Sequence, residues 1–147
     1  MAELARLHSP SEIEIVIATD EMAPEIERLA KLTNFEFGEW EIDWSRVYPS
    51  WLLAYHDGVA VGAVQALPGY PVGRVELLSI DRDQPHDVRV AAIKALWIAS
   101  CASLAAQGVQ GAACTIPSVP SGWRDFVEEN FGLIAINEGT IMMARTT

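Results

Sequence analysis

Few side chains in this sequence have the chemistry of a nucleophile, and none comes with a partner at a telling spacing. Cys114, near the end of an apolar run, is a residue type that can attack a carbonyl, yet none of His8, His56 and His86 stands in a sequence relation that argues for a Cys–His pair. A free cysteine is more often a small buried hydrophobe. Cys101 and Cys114 cannot build a disulfide framework, and no Cys or His spacing suits zinc, so no metal is expected and a reduced compartment is the expected home. His56 precedes a tight turn and His86 sits at a helix start, while Trp40, Trp44 and Trp51 read as core and rim packing rather than a ligand cage.

Charge narrows the partners. Ten Lys and Arg against twenty Asp and Glu give a net charge of −10, and no basic patch interrupts it, so neither nucleic acid nor an anionic membrane surface is an expected partner. Residues 1–50 carry eleven acids and four bases, residues 51–147 nine and six, which implies an acidic face in the first third. Its simplest account is a solvated surface; the alternative is a docking face for a basic peptide, amine or protein.

The elements that would position any site follow from periodicity. At 147 residues, half of them hydrophobic and a fifth charged, the chain is expected to be a single globular domain with a real core. Ser11 to Ala18 alternates as a strand, and Thr19 and Asp20 can cap a helix ending near Asn34, with Met22, Ile26 and Leu29 on its inner face. Phe35 to Ser50 mixes aromatics with acids and reads as a short helix or loop. Trp51 to His56 and Val59 to Leu67 are apolar runs joined by Asp57-Gly58, a strong hairpin signal. A turn over Tyr70 to Gly73 precedes a strand from Arg74 to Ile80.

The long helix Asp87 to Gln107, closed by Gly108, leads to a strand over Val109 to Ile116, then a loop over Pro117 to Gly122 and a helix over Trp123 to Asn130. Two last strands, Ile134 to Ile136 and Thr140 to Arg145, flank the turn Asn137 to Gly139. The most apolar window, Ala91 to Ala106, is interrupted by Lys94 and is shorter than the roughly 20 residues of a membrane span, and the N-terminus has no signal-peptide pattern. A long helix between two strands is most economical as a parallel crossover, so the expected fold is α/β (α+β), one mixed, mostly antiparallel sheet with helices on both faces.

This element order, from Ile13 to Ala144, resembles the GNAT superfamily of acetyl-CoA-dependent N-acetyltransferases. The Asp57-Gly58 hairpin followed by Val61-Gly62-Ala63 and the strand Val75-Glu76-Leu77-Leu78-Ser79-Ile80 agree with it, and Asn130-Phe131-Gly132-Leu133 is similar to the family's Tyr-Glu-Lys-x-Gly-Phe segment. The resemblance implies acetyl-CoA as cofactor and an amine as acceptor. It places Glu76 as a general base and puts Glu128 where the family's tyrosine would protonate the departing thiolate. Leu78 and Ile80 on the strand, with Arg82, Gln84 and Arg89 beyond it, would be the cofactor-binding residues if acetyl-CoA binds.

The chemistry of that last stretch departs from the family. There, a Gln/Arg-x-x-Gly-x-Gly/Ala loop offers backbone amides at a helix N-terminus to the pyrophosphate, a sound design because glycine lets backbone approach phosphate. Taking Gln84 as the first motif residue puts Asp87 and Arg89 at the glycine positions. Pro85 has no N–H to donate, and Asp83 and Asp87 bring negative charge, which Arg82, His86 and Arg89 offset in part. A carboxylate at Glu128 is ordinarily ionised at neutral pH and is a poor proton donor.

The expected function is therefore a GNAT-fold protein with a decayed acetyl-CoA site and no cofactor, serving as an interaction or structural component; the alternative is a working N-acetyltransferase. Some tailed-phage proteins resemble GNAT domains without an intact cofactor motif, and this chain is similar to those. That likeness implies a protein made in the cytoplasm and incorporated in a virion. The helix Asp87 to Gln107, apolar on two lines, is the expected contact for a protein partner or a second copy, with Leu96 or Trp97 as its bulky anchor.

Overall fold

The Asp57-Gly58 turn sets the centre of the sheet. Asp57 and Gly58 both take positive φ, 50° and 78°, as a two-residue type I′ hairpin requires, and join β2 (Trp51–His56) to β3 (Val59–Leu67). The computed structural model describes residues 12–32, 43, 50–115, 122–135 and 141–145. Most of the aromatic segment, with Trp40 and Trp44, lies outside them, as do His8 and the expected loop and turn at 117–121 and 137–139.

Around the hairpin, β1 (Ile13–Ile17), β4 (Val72–Ile80), β5 (Gly111–Thr115), β6 (Ile134–Ala135) and β7 (Ile141–Arg145) complete a seven-stranded sheet in the order β1-β2-β3-β4-β5-β7-β6. Every neighbouring pair is antiparallel except β4 and β5. The parallel pair is joined by the 21-residue helix α2 (His86–Ala106), the expected crossover. Gly108, with φ 81°, ends it in the left-handed conformation that favours glycine.

Helices cover both faces. Alternate residues of β2 face opposite ways: Leu52 and Ala54 join Val61 and Val64 under α2, whereas Trp51 and Leu53 join Ala63 beneath α1 (Ala23–Leu32). The inner side of α1 is Ile26, Leu29 and Ala30, and the Arg28 Nη2 donates to the Ala60 carbonyl at 2.8 Å, fixing that helix to β3. A 3-10 turn, Asp20–Met22, precedes α1; Thr19 is extended and makes no capping bond, so the expected cap does not form. Asp20 Oδ1 instead accepts from the Glu21 amide at 2.9 Å.

α2 buries Val88, Ala92, Leu96, Ser100 and Leu104 against the sheet. Its fit is close at Gly62, where an added Cβ would lie 2.7 Å from Ile80 Cδ1 and 3.2 Å from Leu96 Cδ1. By length and composition this helix could cross a bilayer, contrary to the expectation from its interrupted apolar window; its inner face is spent on the sheet. Of the two expected anchors, one is fully buried and the other half-buried. Leu96 is 1% exposed in the core, and Trp97 stacks on Phe131 of α3 (Trp123–Phe131) with ring centroids 5.1 Å apart. The exposed apolar side chain of α2 is Ile98, at 67%.

Candidate functional site

β4 and β5 run side by side for three residue pairs only, Val72–Gly111, Gly73–Ala112 and Arg74–Ala113. Beyond them β4 continues on β3, while β5 follows β7 to the Thr115–Ile141 pair. The two parallel neighbours therefore separate, and a cleft opens between them.

A bulge on β4 marks its mouth. Ala63 pairs with Ser79 and Gln65 with Glu76, so Val64 alone faces both Leu77 and Leu78. Leu77 takes φ 56°, in the left-handed region that costs a side-chain-bearing residue about 1–2 kcal/mol. Ser79, fully buried, donates its hydroxyl to the Leu77 carbonyl at 3.0 Å and helps hold that geometry. Strain kept by such surroundings gathers at binding and catalytic sites.

The cleft has about 480 Å³ of space free of protein atoms, open solvent at its mouth included. β4 contributes Val75, Glu76, Leu77 and Leu78, and α2 contributes Ile93, Leu96 and Trp97. Cys114 comes from β5, and Trp123, Val127 and Phe131 from one side of α3. Among the described residues, Glu76 is the one charged residue in this lining. Its Oε1 accepts from Arg74 Nε at 2.9 Å and from Arg74 Nη2 as well. Burial, with the Glu76 carboxylate nearby and Arg74 opposing it, pushes the Cys114 thiol up to about 12, so it is a neutral wall and no nucleophile at ordinary pH.

The other end of β4 is a loop closed upon itself. Asp81 Oδ1 accepts from the Asp83 amide at 3.1 Å, the Asp81 carbonyl from the Gln84 amide at 3.3 Å, and Asp81 Oδ2 from Gln84 Nε2 at 3.2 Å. Pro85 is the helix N-cap and has no N–H. Two loop amides and the Gln84 side chain thus already serve Asp81, and the carboxyl groups of Asp81, Asp83 and Asp87 share this corner. An anionic pyrophosphate does not fit these residues.

The expected site residues divide accordingly. Glu76 and Leu78 line the cleft. Ile80 does not: its side chain is buried in the core beside Gly62. Gln84 is bonded to Asp81, Arg82 is exposed on the turn, and Arg89 is half-buried in the first turn of α2 with Nε lacking a hydrogen-bond partner. Glu128 lies off the side of α3 whose described residues line the cleft, and pairs there with Arg124 at 3.0 Å. Positions 123, 127 and 131 repeat at helical spacing, which is why they share the cleft side and Glu128 does not. That spacing was the signal for Trp123, Val127 and Phe131, which sequence reasoning missed.

This architecture has close counterparts among solved structures. An acetyltransferase of the GNAT family from Staphylococcus aureus superposes with a TM-score of 0.70 at 12% identity, over 92% of this chain and all of the other. The PaiA N-acetyltransferase of Thermoplasma acidophilum, in complex with coenzyme A, gives 0.66 at 14%, over 91% of this chain and 99% of the other. Diaminobutyrate acetyltransferase of Paenibacillus lautus, with its substrate and coenzyme A, gives 0.62 at 13%, over 90% and 92%. This chain has the GNAT fold. No protein-family model and no curated sequence matches it.

Proposed function

We propose that this chain is a GNAT-fold protein that does not use acetyl-CoA and acts as an interaction or structural component. One observation carries the reading: the loop at 81–85, where a GNAT cofactor's pyrophosphate would sit, spends its hydrogen bonds on Asp81 and ends in Pro85. The position of Glu128 outside the cleft agrees with it, because no proton donor then stands at the family's tyrosine position. The partner-facing surface in this reading is the outward side of α2, where Ile98 lies between exposed Lys94 and Ala102. An Ile98→Asp chain that still joins its native assembly would remove that surface from the reading.

Calorimetric titration with acetyl-CoA tests the proposal. The expected result is no binding tighter than about 1 mM, a free energy of only about −4 kcal/mol. Micromolar affinity would overturn it.

The acetyltransferase alternative has its own support in the cleft: the splayed strands, the Leu77 bulge and Glu76 on the lining are the parts such chemistry would use. Glu76 would take the proton of an incoming amine there. On that alternative Glu76→Gln lowers acetyl transfer and leaves cofactor affinity nearly intact; equal loss of both would argue against a base role.

A further inference from the structure

Cys101 and Cys114 belong to different elements, and the way α2 crosses the sheet brings them to one place. Leu104 marks the register: it lies over Gly73, where an added Cβ would be 3.1 Å from Leu104 Cδ2, and Gly73 pairs with Ala112 of β5. Leu96 lies over Gly62, which pairs with Ile80, so α2 runs back from the end of β4 toward its start and antiparallel to β5. Cys114 follows Ala112 by two residues on the same face of β5, about 6.7 Å further along. At about 1.5 Å per residue that step matches roughly four or five residues back along α2 from Leu104, the turn that holds Cys101. The side of the helix agrees as well. Trp97 lies one turn before Cys101 on the same side of α2, and Trp97 and Cys114 both pack on the Val127–Leu133 cluster. Both thiols are half-buried, and burial pushes Cys101 up to about 11 and Cys114 up to about 12, with Cys101 among the neighbouring charges that raise Cys114.

We infer that Cys101 and Cys114 are a dithiol pair that closes under oxidising conditions to a disulfide, tying α2 to β5 at the wall of the cleft. The co-reactant is a small disulfide of the glutathione class. One protein thiolate attacks it, forming a mixed disulfide and releasing one glutathione thiol, and the second protein thiolate then displaces the other. The chain gives up two protons and two electrons, and the small disulfide takes them up as two thiols. Cys101 makes the first attack, because its lower pKa leaves it about ten times more thiolate than Cys114. The bond closes the short segment between the two residues and removes its freedom in the unfolded chain, so it stabilises the fold. Nothing in this inference depends on the loop at 81–85 or on whether acetyl-CoA binds.

Equilibration of the full chain with reduced and oxidised glutathione, in native buffer and in urea and approached from both the reduced and the oxidised protein, tests it. Non-reducing peptide mapping should find the segments holding Cys101 and Cys114 joined within one chain. The equilibrium constant for that bond should be at least about tenfold larger in the folded chain than in urea, as a bond that stabilises the fold requires. The oxidised chain should also unfold at a higher urea concentration than the reduced one, a shift that Cys101→Ser does not show. Should Cys101→Ser fail to fold, the folded and urea constants of the unaltered chain decide the matter. Glutathione adducts or links between chains in place of the internal bond, a gain on folding below about tenfold, or a urea midpoint that does not rise on oxidation would overturn the inference.

Discussion

Two neighbouring stretches, the Glu76–Leu78 part of β4 and the loop after it, obey different rules. At Glu76–Leu78, the cleft exists because two strands separate and a bulge turns the chain, and both follow from how the sheet, α2 and α3 pack. In the 81–85 loop that follows, an anion site would depend on individual amides; those of Asp83 and Gln84 are given to Asp81, and Pro85 has none. The first property belongs to the fold and tolerates sequence change; the second belongs to a few residues. The GNAT fold is kept here at 12–14% identity to solved structures, and the proposed function is that it is kept without the family's phosphate chemistry.

The largest effect expected from this contrast is kinetic and lies at the cleft. With its pKa pushed up to about 12, Cys114 holds about a thousandfold less thiolate at pH 8 than an ordinary thiol, so alkylation by iodoacetamide should be slower in the folded chain than in urea by about that factor. Peptide mapping of the labelled chain measures it. A raised folded pKa also stabilises the fold fully below the unfolded value near 9, and this is lost as pH climbs toward about 12. The unfolding midpoint of the unaltered chain should fall across that window, more than that of Cys114→Ala.

Next is the cost of breaking the cleft's support. Leu96, buried between Gly62 and the cleft, should cost about 2–5 kcal/mol when changed to alanine, read as a lower urea midpoint. A loss under about 1 kcal/mol would mean that α2 does not depend on this contact. Changes at the loop end should leave stability nearly untouched and act on ligands. Pro85→Gly combined with Asp87→Gly restores an amide and removes a carboxylate, and should strengthen coenzyme A binding at least about tenfold, worth about 1.4 kcal/mol. No gain would show that something other than these two residues closes the site. The smallest effect is at the Arg124–Glu128 pair, exposed on α3: Glu128→Gln should change stability by only about 0.3–0.5 kcal/mol, read as a urea midpoint.

The sequence by itself determined much of the scaffold. Asp57-Gly58 can hardly be anything but a hairpin turn between two apolar runs, Gly108 ends the long helix, and the strand-helix-strand segment from β4 to β5 has one economical packing. That the loop lacks the family's glycines was legible too, because Pro85 and the acids at 83 and 87 stand in the sequence itself. Helix direction was not. Leu96 and Trp97 sit on an α2 that is apolar nearly all round, so periodicity could not say which line faces the sheet; packing buried Leu96 and left Trp97 half-buried against Phe131. The resemblance says nothing of the rotation of α3, and it is the spacing of four residues that brings 123, 127 and 131, and not Glu128, to the cleft side. The cleft itself was decided by tertiary structure alone. Its walls come from two parallel strands distant in sequence and from two helices, and neither their separation nor the bulge opposite Val64 leaves a mark in any one segment.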